Sequence, residues 1–159
     1  MIRPANRDDC SAIFQFICEL ADYEKMRHEV NGSVAVLEDH LFGDSTYCRA
    51  LIAEENGAPV GFALFFTTYS TFLCQPGLYL EDLFVAPASR GRGHGKALMV
   101  ALAKYAVDHG FGRFEWSALD WNEPSINFYK SLGAAEKEGW NVYRLTGPAL
   151  VSLAEITLK

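Results

Sequence analysis

The chain has 159 residues and a net charge of −6, with 14 basic and 20 acidic side chains. Half of the residues are apolar and 13% are aromatic, so a chain of this length can bury a core without disulfide bonds or a structural metal. The acidic balance argues against a general nucleic-acid-binding protein, because such proteins need a basic face to displace counterions. It mildly favours a cationic ligand.

The sequence also bears on the compartment. No apolar run is long enough to span a membrane, and the N-terminal segment MIRPANRDD lacks the apolar stretch of a secretory signal. Cys10 and Cys18 fall on one predicted helix about 12 Å apart, which is too far for a disulfide bond. We therefore expect reduced cysteines in a cytoplasmic protein with no membrane partner. No metal site is predicted, because metal-ligand spacing is absent among His28, His40, His94 and His109.

Hydrophobic periodicity and capping residues predict the elements of the first half. A short strand at 1–4 precedes a helix that Asn6 caps and that runs to about Tyr23. Ser33 caps a second short helix, which Gly43 ends. Strands are predicted at 47–54 and 60–68, joined by an Asn-Gly hairpin turn.

The second half alternates strands and helices. The pattern predicts a strand at 78–85, a helix at 95–109, a buried strand at 114–119, a helix at 124–132 and a last strand at 140–145. The apolar segment 148–156 is ambiguous. This order predicts a single α/β domain over residues 1–159. Its mixed sheet is antiparallel at first and has one crossover of about helix length.

A glycine-rich turn joins the strand at 78–85 to the following helix. Three alternate glycines remove the Cβ atoms that would keep a ligand away from the backbone, and the amides of the helix start face outward. Three basic side chains lie in this seven-residue stretch of an acidic protein. Pyrophosphate binding is the direct physical interpretation of the stretch Arg90-Gly91-Arg92-Gly93-His94-Gly95-Lys96.

Other interpretations of this turn are weaker. A nucleoside-triphosphate loop needs a hydroxyl residue after its lysine, and Ala97 stands there. A dinucleotide-binding fold places its glycines after the first strand, whereas these lie past the middle of the chain. A merely flexible, soluble loop is the remaining alternative.

The pattern Arg90-x-x-Gly93-x-Gly95 resembles the acetyl-CoA signature of the GNAT superfamily of N-acetyltransferases. A second match is the stretch 121–130, Trp-Asn-Glu-Pro-Ser-Ile-Asn-Phe-Tyr-Lys, closed by Gly133-Ala134. With Tyr79-Leu80-Glu81-Asp82 and the early segment 20–24, Leu-Ala-Asp-Tyr-Glu, it is similar to the spermidine/spermine and thialysine N-acetyltransferase branch. The resemblance covers nearly the whole chain, from residue 2 to about 145.

The resemblance implies a twisted mixed β-sheet flanked by helices and splayed between its fourth and fifth strands, with acetyl-CoA in the gap. It implies a homodimer in which 148–156 contributes apolar surface. The expected cofactor contacts fall in three groups. Pantetheine would lie along Leu83, Phe84 and Val85; the pyrophosphate would contact the turn Arg90–Lys96, including His94; and the other side of the gap would be lined by Asn122, Glu123, Pro124 and Ser125.

Acetyl transfer from a thioester to an amine needs a neutral amine and a proton for the departing thiolate. By resemblance Tyr129 is the general acid, and its chemistry agrees, because a phenol stays protonated at neutral pH. The alternative is an aromatic core residue beside Phe128. Helix geometry allows one ring of the pair to be buried while the other faces a cleft.

Carboxylates are the expected partners of the amine. Glu81 and Asp82 lie on opposite faces of a regular strand, so at most one points into a given cleft. Glu81 is the candidate base or amine ligand, and a salt-bridged surface acid is the alternative. By resemblance the remaining substrate contacts are Tyr23, Glu24, Asp82, Glu115, Trp116 and Ser117.

One position departs from the polyamine-acetylating pattern. Those enzymes carry an acid shortly after the third strand, in a Tyr-Asp-x-Trp context, and here the residues are Tyr69-Ser70-Thr71-Phe72. This favours a thialysine-type or lysine-like amine as acceptor, while a polyamine stays possible. A non-catalytic acyl-CoA sensor and a protein N-acetyltransferase are the alternative functions.

Overall fold

A computed structural model describes residues 1–156. Their backbone contacts separate two compact units, residues 1–117 and the part of the chain from Ala118 onward. None of the described helices is long and apolar enough to cross a membrane. All four cysteines are free thiols.

The first unit contains the sheet and three helices. The order is β1 (Ile2–Pro4), α1 (Cys10–Tyr23), α2 (Val34–Phe42), β2 (Arg49–Glu55), β3 (Ala58–Ser70), β4 (Gln75–Val85), α3 (His94–Asp108) and β5 (Phe114–Trp116). Short 3₁₀ turns occupy Arg7–Asp9, Arg27–Glu29 and Pro87–Ser89. These elements agree with the sequence-based boundaries to within a few residues.

The five strands follow one another in the sheet in chain order. The pairs from β1 to β4 are antiparallel, and β5 pairs with β4 in parallel. The hairpin between β2 and β3 turns at Asn56 and Gly57, with φ values of +52° and +79°, as a two-residue turn with left-handed residues requires. The predicted mixed α/β sheet is confirmed.

Apolar packing holds helices against both faces of this sheet. On one face, Phe16 of α1 stacks 6.1 Å from Phe62 and 5.7 Å from Phe84. On the other face, Tyr105 of α3 meets Phe65 at 5.3 Å, and Leu98 and Leu102 are fully buried. The packing of Phe16 therefore fixes α1 over β3 and the end of β4.

In the described part of the second unit, up to residue 156, there are two helices, α4 (Glu123–Ser131) and α5 (Gly147–Ala154). The helix α5 occupies most of the segment 148–156, whose structure the sequence left ambiguous. The strand expected at 140–145 is wrong, because this segment has no regular secondary structure. A strand requires a hydrogen-bonded neighbour, whereas Val142 and Tyr143 are each 88% exposed.

Candidate active site

The sheet opens between β4 and β5. Their pairing comprises Leu78, Tyr79 and Leu80 of β4, and β4 continues to Val85 without a described partner on that side. The splay expected between the fourth and fifth strands is confirmed. It leaves a stretch of β4 backbone available for hydrogen bonds.

The register shows which backbone groups face this opening. The amide of Ala86 donates to the carbonyl of Val60 at 2.9 Å, so Ala86 and, by alternation, Phe84 bond toward β3. The intervening residues Leu83 and Val85 direct their N–H and C=O groups the other way. The Val85 carbonyl accepts a hydrogen bond from Arg90 Nε at 2.9 Å.

A β-bulge alters the strand at the acidic pair. Phe65 pairs with Leu80 and Leu64 pairs with Asp82, so Glu81 is an extra residue of β4. The side chain of Glu81 is exposed and that of Asp82 is partly buried. Strict alternation, assumed from the sequence, breaks at this point, and the bulge determines where each carboxylate lies.

Asp82 is the most perturbed acid of the described structure. Burial, followed by the negative charges of Glu81 and Glu24, raises the pKa of Asp82 from its ordinary value of 3.8 to about 6. Burial also raises the pKa of Glu24. Glu24 and the β4 acids, which the sequence only grouped by resemblance, therefore belong to one electrostatic cluster. A cluster of carboxylates of this kind attracts a cation and can accept a proton from it.

A tight helix ending places Glu24. The amide of Met26 donates to the Ala21 carbonyl at 2.7 Å and that of Lys25 to the Asp22 carbonyl at 3.1 Å. Lys25 has a φ of +62°, so the chain ends α1 in a Schellman motif. The turn fixes the backbone of Glu24 at the helix end.

The glycine-rich turn has the geometry expected for binding an anion. Gly91 and Gly93 have φ values of +76° and +87°, which favour glycine, and no atom lies within 4 Å of where a Cβ would stand. Gly93 precedes α3, which starts at His94 and continues through Gly95 and Lys96. Open backbone and a helix N-terminus coincide here.

The basic side chains of this turn have protein partners. Arg92 Nη1 lies 3.0 and 2.9 Å from the two carboxylate oxygens of Glu55, and His94 Nε2 lies 3.7 Å from Glu55 Oε2. Arg90 donates to the Val85 carbonyl, and its guanidinium group lies over the rings of Tyr23 and Phe84. Sequence reasoning missed Glu55, because no local signal links a turn acid to an arginine 37 residues later.

The candidate substrate residues of β5 and the adjacent Ser117 have partners within the first unit. Glu115 forms an ion pair of 2.7 Å with Arg113, and the Ser117 hydroxyl lies 2.7 Å from the Tyr79 hydroxyl. The Trp116 ring packs 4.9 Å from Phe114. Tyr79 is a further site candidate, and its place in the Tyr-Leu-Glu-Asp motif was the available signal.

The second unit carries the remaining candidates on α4. Asn122 is buried and caps the helix, its side-chain oxygen accepting from the Ser125 amide at 3.4 Å. Glu123 and Pro124 occupy the first turn. The partly buried Tyr129 ring lies 5.4 Å from Phe128.

Comparison with known proteins identifies the family. Residues 14–134 match the acetyltransferase (GNAT) family. The chain belongs to this family. It is 38% identical to the thialysine N-epsilon-acetyltransferase of Sus scrofa, over 97% of the chain and 96% of that protein. It is 45% identical to the L-ornithine N5-acetyltransferase of Arabidopsis thaliana, over 62% of the chain and 43% of that protein.

Solved structures agree with the fold of this N-acetyltransferase. An integron cassette protein from the mobile metagenome of V. cholerae has a TM-score of 0.82 at 28% identity and covers 98% of both chains. A ribosomal-protein-alanine N-acetyltransferase from Brucella melitensis has a TM-score of 0.73 at 21% identity, covering 92% of this chain and 99% of that one, and shows the fold alone.

Enzymes of the GNAT family use acetyl-CoA. The residues present fit this cosubstrate, because the open β4 edge, the left-handed glycines and the start of α3 provide hydrogen-bond donors and acceptors in one unit. Among the described residues no group of three or more potential metal ligands occurs.

Proposed function

We propose that this enzyme transfers the acetyl group of acetyl-CoA directly to a primary amine of a small molecule. The acidic cluster of Glu24, Glu81 and Asp82 carries the proposal. Burial and the charges of Glu81 and Glu24 raise the pKa of the partly buried Asp82, and a cationic amine beside these carboxylates would relieve their repulsion.

The cosubstrate would bind along the open β4 edge and the glycine-rich turn. Leu83 and Val85 offer backbone groups to pantetheine, and the turn Arg90–Lys96 offers amides and positive charge to the pyrophosphate. Arg92 and His94 would exchange part of their interaction with Glu55 for the phosphates. The start of α4, Asn122–Ser125, is assigned to the cofactor by family resemblance.

The proton transfers are divided between two kinds of residue. The amine must lose a proton before it attacks, and a carboxylate with a pKa of about 6 accepts one near neutral pH more readily than an ordinary aspartate. Asp82 thus joins Glu81 as a candidate base, directly or through water. Tyr129 is proposed as the general acid that protonates the departing thiolate.

The acceptor is proposed to be a compact, lysine-like amine such as thialysine or ornithine. The relatives with those names support this choice, as does Ser70, which replaces the acid of the polyamine-acetylating pattern. Ser70 is buried, and its hydroxyl accepts a hydrogen bond from the Leu73 amide at 3.3 Å. It provides no charge for a remote ammonium group.

An amine panel tests the assignment. The purified protein is mixed with acetyl-CoA and thialysine, ornithine, lysine, spermidine or a peptide amine, and free CoA and acetylated product are quantified. We expect thialysine or another lysine-like amine to have the highest kcat/KM. CoA binding without acetylation of any amine would favour the sensor interpretation, and preference for the peptide would favour protein acetylation.

We also propose a cytoplasmic homodimer whose subunit is one domain, since the family match runs through both units. The second unit exposes many large apolar side chains: Trp140, Val142, Tyr143, Leu145, Leu150, Val151, Leu153 and Ile156. Their exposure costs free energy in water and is typical of an interface. A second copy of the chain is the proposed partner.

A further inference from the structure

Arg90 contacts two parts of the site that the sequence treats as separate. Its Nε donates to the Val85 carbonyl at 2.9 Å, on the β4 edge proposed for pantetheine. Its guanidinium carbon lies 5.6 Å from the centre of the Phe84 ring and 5.6 Å from the centre of the Tyr23 ring. A cation at this distance from an aromatic ring is attracted by the electrons of the ring face.

Tyr23 is the last residue of α1, and Glu24 follows it directly. The Glu24 side chain acts on Asp82 electrostatically, so the position of the α1 end affects the acidic cluster. That end is held by the left-handed Lys25 turn, a conformation that a lysine adopts less readily than glycine, and by Arg27, which donates to the Cys18 carbonyl at 3.2 Å and pairs with Asp22 at 2.6 Å. The ring contact with Arg90 supplies a tertiary support.

We infer that Arg90 is a positioning residue for the acceptor amine: it holds Tyr23, and through it Glu24, against the end of β4. This inference rests on the proposed function and adds to it, because a signature arginine of the phosphate-binding turn then also sets amine affinity. Arg92, two residues later, pairs with Glu55 instead. The two arginines therefore have separable effects.

Steady-state kinetics at saturating acetyl-CoA test the inference, because a change in CoA affinity then does not enter. Arg90→Ala should raise the KM for the amine about three- to tenfold. Arg7→Ala, which removes an arginine–ring contact of 5.9 Å with Phe42 outside the site, should leave that KM within twofold. Arg90→Lys, which keeps a cation near Tyr23, should restore most of the affinity, and Arg90→Gln should not. Equal rescue by lysine and glutamine would overturn the inference.

A double-mutant cycle tests whether Arg90 acts through the ring. If it does, Tyr23→Ala combined with Arg90→Ala raises the amine KM less than the product of the two single effects. Independent, multiplicative effects would contradict the proposed contact. Melting curves establish that each variant is folded before its kinetics are compared.

Hydrogen exchange gives a readout that needs no activity. The amides of Glu24, Lys25 and Met26 bond to carbonyls of α1, and in the free protein their exchange should be about three- to tenfold faster in Arg90→Ala but unchanged in Arg92→Ala. Unchanged exchange in Arg90→Ala would refute the positioning role. If no amine is acetylated by the wild type, the proposed function fails while this measurement still decides the role of Arg90.

Discussion

The raised pKa of Asp82 predicts a trade of stability for function that can be measured directly. The carboxyl titrates near pH 3.8 in the unfolded chain and near 6 in the folded one, so the folded state binds the proton more tightly. Its contribution to the free energy of unfolding is fully present below about pH 4. It is lost as the pH rises through 6. At about 1.36 kcal/mol per pKa unit, the loss is up to about 3 kcal/mol.

Replacing Asp82 with asparagine removes this charge and keeps the side-chain shape. Asp82→Asn should therefore be more stable than the wild type at pH 7, by up to about 3 kcal/mol, or about 6–12 °C in Tm for a chain of this size. At pH 4 the two proteins should differ little. Amine acetylation should fall in the same variant, because the cationic acceptor loses a carboxylate partner.

Urea unfolding of both proteins in a pH series from 4 to 8 measures the difference. Asp44→Asn, which changes an exposed carboxyl in the loop after α2, is the matched control and should show no such pH dependence. Glu24→Gln should reduce the gain from Asp82→Asn, because one of the charges that raise the Asp82 pKa is gone. A stability difference that is constant from pH 4 to 8 would refute the argument.

Four further outcomes are expected. Tyr129→Phe should lower kcat roughly 10²–10⁴-fold and leave CoA affinity unchanged in calorimetry; near-normal turnover would mean that water supplies the proton. Acetyl-CoA at 100 times its Kd should stabilise the protein by about 2.7 kcal/mol, and a larger melting shift with ATP or NAD would contradict the cofactor assignment. Ser70→Asp, which can still accept from the Leu73 amide, should move the thialysine-to-spermidine ratio of kcat/KM toward spermidine, by about tenfold or less; an unchanged ratio would remove Ser70 from the argument. Sedimentation at micromolar concentration should give a dimer that Val151→Glu weakens, and a wild-type monomer would disprove the interface.

Local chemistry made much of this protein predictable. A glycine-rich turn between a strand and a helix predicts an anion-binding turn, because left-handed backbone and outward amides depend on a few adjacent residues. Helix caps at Asn6 and Ser33 act within three or four residues and were predicted from the sequence, whereas the cap at Asn122 was not. The family resemblance rested on such contiguous stretches, and the family match agrees with it.

Contacts between distant segments required the folded chain. The bulge that makes Glu81 an extra residue arises from the register of β3 against β4, and a strand pattern read alone assumes strict alternation. The pKa of Asp82 depends on burial and on Glu24, which is 58 residues away in the numbering of the chain. In the same way the partners of Arg90 and Arg92 are set by tertiary packing. The prediction of a strand at 140–145 was wrong, because a β-pattern forms a strand only beside a neighbouring strand. Whether such a neighbour is present is decided by the tertiary structure.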